Sequence, residues 1–137
     1  MRIVLDSNEF IFGILKTDPD CAKLIDNLTQ FETIIPKTVV LETRSNLSEI
    51  HINSVRLFYR LIRTGKDIKI INELDVPKIL LKDYKNKGLK DEDAEIGAFT
   101  EWVKANYLIT ENRHFLKNTK ITKFKVLTAK DFLKVNI

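Results

Sequence analysis

Arg2-Ile3-Val4-Leu5-Asp6-Ser7-Asn8 opens the chain with three consecutive apolar residues that stop at a carboxylate. A run this short and this uniformly apolar fits a strand buried on both faces, as in a parallel sheet. Four further runs read the same way: Thr33-Ile34-Ile35, Ile68-Lys69-Ile70-Ile71, Tyr107-Leu108-Ile109 and Lys125-Val126-Leu127. Helical patterns lie between them, over 19–30, 38–49, 52–64, 76–87, 92–105 and 129–134. Strands alternating with helices predict βαβ units, and hence an α/β fold with a mainly parallel central sheet.

Several boundaries have a chemical cause. Asp18-Pro19 predicts a helix start with Pro at the first helical position, and Asp75-Val76-Pro77 predicts another. Gly65 and Gly88 are expected to end the preceding helices in a left-handed conformation. Ala94, Gly97 and Ala98 form a ridge of small side chains, expected to let their helix approach the sheet backbone closely. Trp102, on the same helix, is expected in the core.

The chain has 137 residues, of which 44% are hydrophobic and 31% charged, so it reads as one domain over 1–137 with a real core. The N-terminal apolar stretch is cut by Asp6, Asn8 and Glu9, which leaves no export signal. No apolar run approaches the ~20 residues of a membrane span. Cys21, the single cysteine, has no intrachain disulfide partner and is expected to be a small core residue. These features together predict a cytoplasmic protein with no membrane association. The net charge is +4 and is unevenly spread. From Arg113 onward, seven bases (Arg113, Lys117, Lys120, Lys123, Lys125, Lys130, Lys134) face one acid, Asp131. Lys82, Lys85, Lys87 and Lys90 form a second cluster. The pattern suits a polyanionic partner and equally a solvated lysine-rich surface.

In an open α/β sheet, sites form beyond the carboxyl ends of the strands. Asp6 follows the first strand, and Glu42 lies a turn or two into the helix after the second. Asp93 sits in the first turn of its helix, and Asn112 follows the strand that ends near Thr110. Converged carboxylates raise one another's pKa and call for a cation, and oxygen ligands suit Mg²⁺ or Mn²⁺. Each residue also has a purely structural use. Asp6 can cap a helical turn, and Glu42 can pair with a surface base. Asp91, Glu92, Asp93 and Glu95 can favour a helix N-terminus through its dipole. Asn112 can serve as a turn residue.

Their order along the chain resembles the PIN-domain family, including the ribonuclease toxins of VapC type. The anchors are Val4-Leu5-Asp6-Ser7-Asn8, Ile35-Pro36 through Leu41-Glu42, Asp93-Ala94 with Ile96-Gly97-Ala98, and Ala105 to Thr110 through Phe115. The resemblance implies a three-layer α/β/α domain with strand order 3-2-1-4-5. It implies a Mg²⁺- or Mn²⁺-dependent endoribonuclease, the toxin of a toxin–antitoxin pair, working as a homodimer. Asp6, Glu42 and Asp93 match the family's metal-binding carboxylates. Asn112 falls where many members carry a fourth acid and completes the catalytic set Asp6, Glu42, Asp93, Asn112. His114 falls where a further Asp is common. Glu9-Phe10 departs from the usual apolar pair, so Glu9 is expected either to add charge to the cleft or to face solvent. Glu92 or Glu95 is a candidate to compensate for Asn112, and Glu111 is expected to point elsewhere. The Asn112 departure keeps open an alternative, a catalytically weak domain that binds RNA or a protein. A response-receiver-like signalling domain fits poorly, because only Asp6 follows strand one and Asn72-Glu73 follows strand three.

Overall fold

The computed structural model describes residues 1–136. It contains β1 (Arg2–Leu5), α1 (Ser7–Ile14), α2 (Pro19–Asp26), β2 (Glu32–Pro36), α3 (Lys37–Ile50), α4 (Ile52–Thr64), β3 (Ile68–Ile71), α5 (Lys78–Asn86), α6 (Asp91–Trp102), β4 (Tyr107–Ile109), α7 (Arg113–Leu116), β5 (Lys125–Leu127) and α8 (Ala129–Asn136). The five strands make one sheet in the order β3-β2-β1-β4-β5, every pair parallel.

Strand alternation divides the apolar residues between two cores, because successive side chains point to opposite faces. Ile3, Leu5, Ile35 and Ile109 face Phe10, Leu24, Leu47, Phe58 and Phe132 on one side. Val4, Ile34 and Leu108 face Tyr84, Phe99, Phe115 and Phe124 on the other. The result is the expected α/β/α layering. Among the described residues, no helix is long and apolar enough to cross a membrane.

All five predicted strands form where expected, whereas several details differ. α1 was absent from the predicted helices. Its Ser7, Glu9, Phe10, Ile11 and Gly13 are buried, so no polar stripe marks it as helical. It packs closely on α2, where a Cβ at Gly13 would lie 2.8 Å from the Cys21 carbonyl oxygen. α2 begins as predicted, with the Asp18 side chain accepting from the Asp20 and Cys21 amides and Pro19 first in the helix. It stops at Asp26, and Leu28–Gln30 form a separate 3₁₀ turn. α5 begins at Lys78 rather than Val76, because Glu73–Asp75 form another such turn.

Gly88 has φ of +95° and meets the left-handed expectation. Gly65 does not: its φ is −66° and the chain leaves α4 in an extended conformation. Gly97 is tight against the Tyr84 ring rather than the sheet, since a Cβ there would lie 2.7 Å from Tyr84 Cδ1. Trp102 is half-buried, edge-on to Phe99, and not fully in the core.

Candidate active site

β1 ends between β2 and β4, the point where the strand order reverses. The Asp6 amide extends the ladder by donating to the Ile109 carbonyl at 3.1 Å. The Asp6 side chain therefore leaves the sheet at the switch point, with Thr110 beside it. Asp6 Oδ1 accepts from the Ser7 amide at 2.8 Å, which caps α1, and Oδ2 accepts from the Thr110 hydroxyl at 2.9 Å. The capping alternative and the cleft position are both realised in one side chain.

Glu42, on α3, reaches back so that its Oε1 accepts from the Ser7 hydroxyl at 3.0 Å. Glu42 forms no salt bridge among the described residues. Asp93, in the first turn of α6, has Oδ1 accepting from Asn112 Nδ2 at 3.1 Å. Asn112 also caps α7, its Oδ1 accepting from the His114 amide at 2.9 Å. The Asn112 amide is held in turn by the Thr110 hydroxyl at 3.0 Å.

These residues line one cleft of about 740 Å³. Its walls are Asp6, Ser7, Asn8, Thr38, Glu42, Glu92, Asp93, Glu95, Ile96 and Asn112. Five of the ten are carboxylates, and none is Lys or Arg. Burial pushes the Asp6 carboxyl up despite its hydrogen bonds, and the nearby Asp93 charge adds to the shift. Glu42 is likewise raised, by burial first and then by Asp6, Glu92 and Asp93. Uncompensated negative charge is the electrostatic character of the cleft.

All four predicted site residues are therefore brought together, with Glu92 and Glu95 beside them. His114 is exposed and is not part of the wall, and His51 is an exposed residue at the start of α4. Thr110 is the positioning residue that the sequence reading left unassigned, while Ser7, expected from the resemblance to shape the site together with Asn8, holds Glu42. The register pairs Leu5 with Ile109, so the next residues along, Asp6 and Thr110, meet at the strand ends. A larger cavity of about 930 Å³ opens at the opposite edge, by Lys104, Asn106, Lys123 and Lys125, and holds only one acid, Glu101.

Glu9 behaves as neither alternative anticipated. It is fully buried, away from both the cleft and solvent. Its Oε2 accepts from the Cys21 thiol at 3.1 Å, and the Glu111 carboxylate faces it. Burial, together with Glu111, pushes the Glu9 carboxyl up to about 9. Glu111 points away from the cleft as expected, accepting from the Ala129 amide at the start of α8. Cys21 is buried as expected, with this polar contact added.

Neither family models nor curated proteins match this sequence. Solved structures do. A chain of the VapBC2 complex of Rickettsia felis, bound to a DNA fragment from its promoter, superposes with a TM-score of 0.66 at 17% identity, over 92% of this chain and 97% of that one. A chain of a toxin–antitoxin complex from Klebsiella pneumoniae gives a TM-score of 0.68 at 21% identity, over 93% and 97%. The fold is PIN-like. At these identities the likeness concerns the fold, and the chemistry rests on the cleft.

Proposed function

We propose that this protein is a divalent-metal-dependent endoribonuclease, the toxin of a toxin–antitoxin pair. The observation that carries this reading is the convergence of Asp6, Glu42 and Asp93 in one base-free cleft at the carboxyl ends of β1 and β4. The donor set fits a hard cation. It is all oxygen, and Asp6 and Glu42 are both pushed toward protonation, by burial first and then by the neighbouring carboxylates.

Asp6, Glu42 and Asp93 would hold Mg²⁺ or Mn²⁺. Such an ion supplies Lewis acidity at a scissile phosphate and lowers the pKa of a bound water. The protein's part is positional. Asp6 is locked by the Ser7 amide and the Thr110 hydroxyl, so its carboxylate orientation is fixed before any ligand arrives. Asn112 orients Asp93 through its amide. Glu42, held by a single hydroxyl at the cleft mouth, retains freedom to adjust. Lys37, Lys90 and Arg113 adjoin wall-bearing segments in sequence and are the bases suited to gripping an RNA backbone.

An antitoxin partner is supported by the neighbours, which are complexes of that kind. Exposed Ile50, Ile52 and Leu57 near the α3–α4 junction suit a homodimer or that partner. A cytoplasmic location accompanies this reading.

The test is cleavage of a labelled mixed-sequence RNA with Mn²⁺ or Mg²⁺ against an EDTA control. Asp93→Asn is run in parallel. Metal-dependent cutting by wild type that disappears in the variant is expected, with circular dichroism unchanged. One observation favours a second reading, a binding module without turnover: the Asn112 amide occupies an Asp93 oxygen where many relatives would offer another carboxylate. RNA retention with no cutting under any metal would support that alternative.

A further inference from the structure

Behind the cleft, on the core side of α1, a second cluster plays no part in the function proposed above. Glu9, Cys21 and Glu111 each offer a ligand atom, and these atoms all lie within 4.8 Å of one another. They come from three separate segments: α1, α2 and the turn after β4. Glu9 is 0% exposed, and its Oε1 has no hydrogen-bond partner. What the Glu9 carboxyl meets besides the Cys21 thiol is Glu111, another acceptor. A buried carboxylate oxygen without a donor is costly to keep, about 1–3 kcal/mol or more when charged.

We propose that Glu9, Cys21 and Glu111 form a binding site for a borderline-soft divalent cation of the Zn²⁺ class, separate from the acidic cleft. One sulfur and two carboxylates are a zinc-type donor set, unlike the all-oxygen wall of the cleft. The geometry is close to that required. Metal–oxygen bonds near 2.0–2.2 Å and a metal–sulfur bond near 2.3 Å imply ligand separations of about 3.5 Å around a tetrahedron. The Cys21 Sγ to Glu9 Oε2 distance is already 3.1 Å. Glu111 is half-buried and gives the cluster contact with solvent, from which a water completes the fourth position.

The proton balance follows from the environment. Without the ion, Glu9 and Cys21 hold their protons at neutral pH, since burial pushes both groups up. Binding replaces the Cys21 S–H and the Glu9 O–H bonds with metal bonds and releases those two protons to solvent. The ion would tie α1 and α2 to the segment that also carries Asn112. Its role is structural.

The test uses the full chain loaded with Co²⁺ as a spectroscopic probe and with Zn²⁺ in competition with a chromophoric chelator. Wild type is expected to show thiolate-to-cobalt charge-transfer absorption at one ion per chain. Cys21→Ser should lose it, with Zn²⁺ affinity falling more than about 100-fold, beyond what losing an outer-sphere partner costs. Asp93→Asn should keep both, which separates this site from the cleft. Glu9→Gln supplies a second readout that does not depend on Cys21→Ser folding well. It should be more stable than wild type in EDTA and lose that advantage in Zn²⁺. Absence of the charge-transfer band in wild type would overturn the proposal. So would a Glu9→Gln gain unchanged by Zn²⁺, leaving a shared proton as what holds the cluster together.

Discussion

Glu9→Gln is the perturbation whose magnitude the structure defines best. In the metal-free protein the folded state holds Glu9 protonated up to about pH 9, against an ordinary value of 4.5 in the unfolded chain. Between those two values the folded state binds one more proton than the unfolded state, so stability falls as pH rises. It is fully present below the unfolded value and is lost as pH climbs toward the folded one. Each pH unit in that window costs about 1.4 kcal/mol, which makes the penalty roughly 3 kcal/mol by pH 7. Gln removes the titration and keeps the contacts. Its carbonyl accepts from the Cys21 thiol, and its amide donates to Glu111, the group that Glu9 can meet only when protonated. In EDTA the variant should therefore gain about 3 kcal/mol at pH 7, or about 10 °C in melting temperature for a chain of this size. Near pH 5 the gain should shrink below about 1 kcal/mol. Urea denaturation in EDTA at a series of pH values measures both. Asp6 and Glu42 are also raised, so the variant should keep a shallower slope of the same sign. A wild-type stability that is flat or rises over this range, or a variant that is destabilised at pH 7, would refute the reasoning.

Asp6→Asn should stabilise the protein in EDTA at neutral pH by removing a buried charge, and should abolish the Mn²⁺-induced melting shift, about 2.7 kcal/mol at 100 times Kd in wild type; differential scanning fluorimetry reads both. Thr110→Val removes a buried hydroxyl donor to Asp6 and should cost about 1–2 kcal/mol by urea denaturation. Gly97→Ala should destabilise by about 1–3 kcal/mol despite its better helix propensity, because the added methyl meets the Tyr84 ring; thermal unfolding checks the sign. Asp18→Ala strips the α2 cap and should cost about 1 kcal/mol in the same assay.

What could be read ahead of the structure follows from how locally each feature is encoded. The inner strands β1, β2 and β4 were legible because a parallel strand buried on both faces reads as a continuous apolar run, and the edge strands β3 and β5 by their short aliphatic runs despite the exposed Lys69 and Lys125. The α2 start was legible because Asp18-Pro19 is local capping chemistry. α1 was not, since a helix enclosed by α2, α3 and α4 has no polar stripe to report its period. Gly65 misled because a glycine after a helix permits a left-handed residue without requiring it. Asp6, Glu42, Asp93 and Asn112 could be proposed from their places relative to strand ends. The partners that hold them, Ser7 and Thr110, depend on register and on which helix reaches back. Glu9 was the hardest. A glutamate in sequence signals exposure or a site, and only the packing shows it sealed inside with a thiol and a second carboxylate.

β1 occupies the centre of the sheet, yet its two neighbours lie at very different distances along the chain. Arg2 pairs with Glu32, whereas Ile3 pairs with Tyr107, and the Thr110 to Asp6 bond closes a separation of 104 residues. A ribosome therefore delivers the first half of this contact long before the second. Until β4 has emerged, one edge of β1 stays unpaired, Asp6 lacks Thr110, and Asp93 lacks Asn112. Contacts of such span form slowly because loop closure precedes their reward. The cleft is thus among the last features of the molecule to come into being. A nascent chain of this design therefore carries Asp6 and Glu42 for most of its synthesis without the Asp93–Asn112 half that completes the acidic cleft.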